Sequence, residues 1–167
     1  VKAIDDSLRK ERNKNEAKIT SEARKNGVPT PIIFDIDELE ITMEYIDGKQ
    51  LKYVLDESLS EKIGINVGRL HGADIIHGDL TTSNMILSSG RIYFIDFGLA
   101  FYSKEIEPKG VDVHVLFQTF NSTHVENEKL IRAFVRGYRS AYKRADEVLA
   151  RVREIEARGR YFVEKDQ

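Results

Sequence analysis

Cysteine is absent from the chain. That removes disulfides, thiolate zinc sites and thiol nucleophiles, and it fits a reducing compartment, with the cytoplasm as the expected location. No window approaches the roughly 18 apolar residues of a membrane span, and no signal peptide is recognisable, so no membrane partner is expected. Proline occurs only three times. The sequence contains no G-x-x-x-x-G-K-[ST], no H-E-x-x-H and no G-x-S-x-G, and Gly48-Lys49 lacks the upstream glycine of a phosphate loop. There is no repeat and no low-complexity segment. What remains is 41% hydrophobic and 32% charged residues in a chain of 167. That composition belongs to a folded chain, long enough for one domain or two small lobes.

A net charge of −2 conceals a division. Residues 1–27 carry eight basic and five acidic side chains, residues 28–127 seven and sixteen, and residues 128–167 eleven and seven. The acidic middle disfavours nucleic acid there unless a metal intervenes. The basic C-terminal tail suits RNA or an acidic partner.

Residues 4–27 read as a helix, capped by Asp5 or Asp6 and ended at Asn26-Gly27, with a thin apolar stripe of Ile4, Leu8, Ile19 and Ala23. Two short strands follow, "VPTPIIFDID" and "ELEITMEYI". A helix with Ile63, Val67 and Leu70 on one face is expected next, capped by Ser58 or Ser60. "MILS" and "RIYFID" form a hairpin around Ser89-Gly90. Residues 112–121, 126–143 and 145–158 read as helices. The fold class is α+β, in two lobes with a cleft between them: an N-lobe remnant at 1–46 and a C-lobe at 47–167.

The hairpin and its flanks carry three oxygen-bearing side chains among apolar neighbours, in "IIHGDLTTSNMILSSGRIYFIDFGLAF". Asp79 precedes the first strand, Asn84 opens it and Asp96 ends the second. A hairpin returns its ends to one place, so Asn84 and Asp96 project into one volume with Asp79 close by. Carboxylate and amide oxygens are hard ligands, and a few of them plus substrate phosphates is the usual way to hold Mg2+. Asp79 is then left to orient, or take a proton from, a hydroxyl or water.

"HGDLTTSN" and "DFG" resemble the catalytic loop and metal motif of protein-kinase-like enzymes. More narrowly, "IIHGDLTTSNMIL", "IDFGLAFYSKEIEPKGVDVHVL" and "ARGR" resemble the small atypical kinase subunit of the KEOPS complex, the PRPK-type family. The resemblance covers nearly all residues from 8 to 160. It implies a minimal two-lobed kinase-like fold and ATP as the nucleotide, with Asp79 as the catalytic-loop aspartate and Asn84 and Asp96 as Mg2+ ligands. It makes "MEYI" the hinge, with Met43 as gatekeeper and the Glu44 carbonyl and Ile46 amide on adenine. Lys2 resembles the strand lysine and Glu16 its helix partner, although periodicity alone places Glu11 and Glu16 equally beside the apolar stripe. Asp112 resembles the aspartate that braces the catalytic loop, or acts as a plain N-cap, and His77 the catalytic-loop histidine. His71, His114 and His124 share no metal spacing and read as structural.

The pattern departs from regulated kinases in three places. Only Val1-Lys2 precede the first helix, so there is no glycine-rich loop and the N-lobe reads as truncated, with a junction at Lys2-Ala3. Gly78 stands where an arginine docks a phosphorylated activation loop, which argues against that switch. Thirteen residues separate Gly98 from Asp112 and A-P-E is missing. The resemblance therefore implies an ATP- and Mg2+-dependent serine/threonine kinase-like ATPase supporting threonylcarbamoyl-adenosine formation in tRNA, with water as acceptor and transfer to Ser or Thr left chemically open. Its implied partners are the threonylcarbamoyltransferase subunit and a small regulatory subunit on the N-lobe, with tRNA at the basic tail. The competing expectations are a small-molecule phosphotransferase of the aminoglycoside or choline kinase type, and a scaffold without chemistry.

Overall fold

Helix α1 (Lys2–Lys25) is the longest element of the computed structural model, which describes residues 2–165 and the side chains of 7–160. Its last third packs into the core through Ala17, Ile19 and Ala23, whereas Leu8 is 55% exposed. Of the apolar stripe read from the sequence, Ile19 and Ala23 are thus buried and Leu8 is not, while the side chain of Ile4 lies outside the described residues. The helix stops as Asn26-Gly27 suggested. Gly27 takes φ +83°, its amide bonds Arg24 O, and the Val28 amide reaches Ala23 O. This pair of bonds is the Schellman arrangement that left-handed glycine permits.

Strands β1 (Ile33–Ile36) and β2 (Ile41–Met43) pair antiparallel, with a bulge between Ile33 and Asp35. A three-stranded antiparallel sheet has the order β3 (Lys49–Gln50), β5 (Met85–Ser88), β6 (Arg91–Phe94). Strand β4 (Ile75–Ile76) pairs with β7 (Phe101–Tyr102). The β5–β6 turn falls at Ser89-Gly90, both with positive φ (49° and 75°), as a two-residue hairpin requires. Strands β3, β4 and β7 were not legible, being two residues each.

Helix α2 (Glu57–Gly72) starts ahead of both expected caps. Its cap is Asp56, whose carboxylate accepts the Leu59 amide at 2.8 Å. Neither Ser58 nor Ser60 caps it; the buried Ser60 hydroxyl donates to Leu130 O at 2.6 Å instead. Helix α3 (Ile106–Thr123) begins six residues before the expected start. Pro108 sits in its first turn, where a missing amide is harmless. Helices α4 (Asn127–Ala141) and α5 (Ala145–Lys165) complete the C-terminal side. One core joins Ile19, Ala23 and Val28 to residues of α2, β6, α3, α4 and α5, among them Val67, Phe94, Phe120, Phe134 and Val148.

Helices α2 and α4 touch backbone to backbone. A Cβ on Gly137 would overlap the Glu61 carbonyl, and one on Gly64 the Phe134 carbonyl. Gly137→Ala gains about 1 kcal/mol of helix propensity, but backbone overlap cannot be relieved by a rotamer change and outweighs it. A net destabilisation of about 2 kcal/mol is expected in urea unfolding. An unchanged midpoint would show the helices sliding apart without penalty. This slab matters for the site because α2 delivers the chain directly into β4 and the loop that carries Asp79.

Candidate active site

The loop 77–84 is held from beneath by one interior carboxylate. Asp112, 3% exposed, accepts the His77 amide at 2.7 Å and the Gly78 amide at 3.0 Å. It lies within α3 rather than at its N-cap, so the bracing role expected for it stands and the capping one does not. His71 stands at 3.3 Å from the same carboxylate through Nε2, and the Tyr138 hydroxyl donates to His71 Nδ1 at 2.7 Å. Burial, with Tyr142 and Asp112 adding to it, raises the Tyr138 pKa far above the usual phenol value. Its proton therefore stays in place, and His71 is structural, as read.

His77 works through its ring. The Asp79 amide donates to Nδ1 at 3.2 Å, so Nε2 carries the proton and donates to Ile95 O at 3.0 Å. That single ring ties the catalytic loop to the end of β6. Gly78 takes φ +83°, and a Cβ there would overlap the Leu99 carbonyl. Glycine at position 78 thus has a packing cause.

Asp79 and Asn84, five residues apart, are in contact: Asn84 Nδ2 donates to Asp79 O and to Asp79 Oδ2, both at 3.0 Å. The amide orientation leaves Asn84 Oδ1 without an intrachain partner among the described residues. The backbone joins this pair to Asp96, since the Ile95 amide donates to Asn84 O at 3.0 Å. Asp96 adopts φ 59°, a left-handed conformation that aspartate tolerates better than most residues, and its Oδ1 accepts the Gly98 amide at 3.3 Å. It is exposed and has no cationic partner among the described residues.

Glu16 reaches the same place. A Cβ on Gly98 would lie 3.2 Å from Asp96 Oδ1 and 3.4 Å from Glu16 Oε2. Burial, then the Asp96 charge, raises the Glu16 pKa, and Arg12 opposes them. Periodicity left Glu11 and Glu16 equal; it is Glu16 whose carboxylate lies beside Asp96 and Gly98. Because the folded state favours protonated Glu16, its contribution to stability is full at low pH and is lost as pH rises through the raised pKa. Glu16→Gln is therefore expected to raise the Tm at neutral and mildly alkaline pH without divalent cation, and to flatten the gain on acidification. A lowered Tm in that buffer would contradict the crowding of these carboxylates.

Lys2 is the first residue of α1, so its backbone is helical where a strand was expected, and its side chain lies outside the described residues. Along a straight helix its Cα is about 21 Å from that of Glu16, so the Lys2–Glu16 pairing is corrected. In the hinge segment, Met43 closes β2 and is 38% exposed, while Ile46 is buried. The Glu44 amide bonds Ile32 O, and its carboxylate accepts the Ile32 amide. The Glu44 carbonyl and the Ile46 amide have no intrachain hydrogen bond among the described residues. Asn15 was missed: its side chain donates to Ala100 O at 3.1 Å and ties α1 to the segment after Asp96. Lys109 was missed too, a buried cation paired with Asp74 at 2.7 Å under the same segment. Neither has a sequence signature.

The donor set suits a hard divalent cation: exposed Asp96, the outward oxygen of Asn84, and surplus negative charge nearby. Among the described residues there is no cluster of three or more His, Cys, Asp or Glu side chains able to hold a metal alone.

Comparisons with known proteins bear on the family and the fold. The family model described as the RIO domain matches residues 4–134. A probable bifunctional tRNA threonylcarbamoyladenosine biosynthesis protein of Methanosarcina acetivorans is 55% identical over 160 residues, 96% of this chain and 29% of that protein. The chain thus spans less than a third of the bifunctional relatives it matches. The probable serine/threonine-protein kinase BUD32 homolog of Archaeoglobus fulgidus is 49% identical over 161 residues, 96% of this chain and 82% of that protein. Among solved structures, WaaP in complex with acyl carrier protein superposes with a TM-score of 0.69 at 16% identity, covering 92% of this chain and 76% of that one. Amicoumacin kinase hAmiN, in complex with AMP-PNP, Ca2+ and Ami, gives 0.60 at 13% identity, covering 76% and 61%. At such identities these two show the kinase-like fold alone. With its RIO domain, its kinase-like architecture and a relative matched over most of both lengths, the chain belongs to the RIO/Bud32-type family of atypical kinases.

Proposed function

We propose that the chain is an ATP- and Mg2+-dependent kinase-like ATPase that serves threonylcarbamoyl-adenosine formation in tRNA, alongside a threonylcarbamoyltransferase subunit and a small regulatory subunit. The observation that carries the reading is the Asp79–Asn84 contact beside Asp96, on a loop locked by Asp112. The names of the relatives favour this over a small-molecule phosphotransferase.

The roles follow from the contacts. Asn84 turns its NH2 onto Asp79 and offers its oxygen outward, so one side chain both fixes the catalytic carboxylate and serves the metal. Asp96 supplies the charged ligand. Mg2+ bound with ATP would neutralise the β- and γ-phosphate oxygens. Asp79 Oδ1, the oxygen not bonded to Asn84, orients the attacking water and takes its proton as the γ-phosphoryl group leaves ADP. The short segment after Gly98 and the absence of A-P-E favour water as acceptor over a peptide hydroxyl. In the hinge, the Glu44 carbonyl and Ile46 amide are free to meet adenine, with Met43 beside them. Residues 1–46 then act as the N-lobe portion and 47–167 as the C-lobe.

The test is phosphate release from ATP with and without Mg2+, alone and with the partner and tRNA, run beside thermal shift. Nucleotide at a hundred times its Kd stabilises by about 2.7 kcal/mol. A Mg2+-dependent shift with turnover is expected; neither shift nor turnover in any mixture would overturn the reading.

A further inference from the structure

The C-terminal helices were expected to present positive charge to RNA, yet much of that charge is already neutralised within the protein. Arg136, Arg139, Arg144, Arg151 and Arg158 each meet a carboxylate within 3.3 Å. Glu107 takes two of them, and its pKa is lowered by the hydrogen bonds from Arg158 and then Arg151. Such arginines have counter-ions already and release fewer on meeting a polyanion.

Between α1, α2 and the β5–β6 turn the arrangement is reversed. A concavity of about 520 Å³ lies between the end of α1, one face of α2 and the β5–β6 turn. Arg24, Lys62, Arg69 and Arg91 line it, and no acidic side chain does. All four are exposed, and none forms an ion pair among the described residues. Lys62, Asn66 and Arg69 follow one another along α2 at helical spacing, so they form a row about 10.5 Å long. Two of the cations are fixed by backbone: Arg24 donates to Thr30 O at 2.6 Å, and Arg69 to Gly27 O at 2.8 Å. Arg69 also approaches Asn66 Oδ1 at 3.4 Å. These bonds leave the positive charge unpaired and hold it at the rim, although the surrounding stretch 28–127 is strongly acidic.

We propose that this cleft, rather than the C-terminal helices, is the main surface through which the chain grips the phosphodiester backbone of RNA. Guanidinium and ammonium groups without acidic partners, two of them held in place by backbone carbonyls, are what a run of phosphates requires, and no acidic side chain of the cleft lining has to be displaced. No aromatic side chain lines the cleft, so binding there reads backbone and not base. The proposal rests on the tRNA part of the proposed function, and it adds a place and a mode.

The test uses the whole 167-residue chain and fluorescently labelled tRNA, with no nucleotide present, and reads anisotropy as a function of salt. Lys62→Ala with Arg91→Ala removes the two cations that make no structural hydrogen bond. This double variant is expected to weaken binding and to reduce the slope of log K against log salt by between about 1.4 and 2. Lys62→Arg with Arg91→Lys restores the slope. Arg153→Ala with Arg160→Ala, which removes cations of α5 that form no ion pair among the described residues, is expected to leave it unchanged. RNA-free ATP turnover is the same in all variants. The proposal is overturned if the α5 variant lowers the slope and the cleft variant does not, or if tRNA binds all variants alike. It is also overturned if inorganic pyrophosphate stabilises the cleft while tRNA ignores it, since the site then takes small anions. Loss of ATP turnover in every protein would sink the ATPase reading and leave this measurement intact.

Discussion

Asp79→Asn is expected to lower ATP turnover by about 10²- to 10⁴-fold, the range general-base contributions span, with Mg2+–nucleotide binding close to normal. The substitution keeps the side-chain shape and removes only the basic oxygen. Asn84 still finds the Asp79 backbone carbonyl at 3.0 Å, so the loop keeps half of its pairing. Asp96→Ala should behave differently. It deletes the charged metal ligand, so turnover and the Mg2+-dependent part of nucleotide binding fall together. Phosphate release in single-turnover conditions, read beside thermal shift with and without Mg2+, separates the two. Equal loss of binding in both variants would mean that Asp79 holds the metal, and the division of labour between the carboxylates would have to be redrawn.

Asp112→Ala should be the most damaging substitution for stability. It strips the acceptor from two backbone amides, those of His77 and Gly78, and from the buried His71 ring. An interior donor left without a partner costs about 1–3 kcal/mol, so a loss of about 3–5 kcal/mol is expected. That is a large share of the roughly 5–15 kcal/mol that holds a domain together. At about 2–4 °C per kcal/mol for a chain of this size, the Tm should fall by roughly 10 °C. Activity should fall as well, since the same amides set the position of Asp79. The check is a calorimetric melt of Asp112→Ala and of Asp112→Asn. Asn keeps one carbonyl oxygen but turns an NH2 toward donors, so it belongs between wild type and Ala. A Tm within a degree or two of wild type for the Ala variant would show that the loop holds itself.

How much of this was readable beforehand differed by the kind of signal. The hairpin was legible because Ser89-Gly90 is a local chemical instruction, and Asp79, Asn84 and Asp96 because polar groups stand out in apolar strands. The end of α1 was legible for the same local reason, Gly27. The start of α3 was missed because Pro108 reads as a breaker unless its first-turn position is known, and that position depends on tertiary packing. The cap of α2 was misassigned because Ser60 has a long-range partner on α4, which no local rule supplies. Glu16 and Glu11 stayed equivalent until a fold placed Gly98 against one of them. Lys2 fails for a geometric reason, since a helix keeps distant residues distant. The unpaired cleft was invisible to charge counting. Residues 24, 62, 69 and 91 come from three separate elements, and a regional total dilutes them in acid.

One close approach decides where the segment after Gly98 can lie. With no side chain at Gly78, the Leu99 backbone lies directly on the loop that carries Asp79, and two residues later the chain is stitched to β4 as strand β7. Asn15 bonds Ala100 O, and Asp74, which the buried Lys109 holds, takes the Ser103 amide on its backbone carbonyl. A stretch so short, buttoned down at Ala100, at Phe101–Tyr102 and at Ser103, is a clasp and not a hinge.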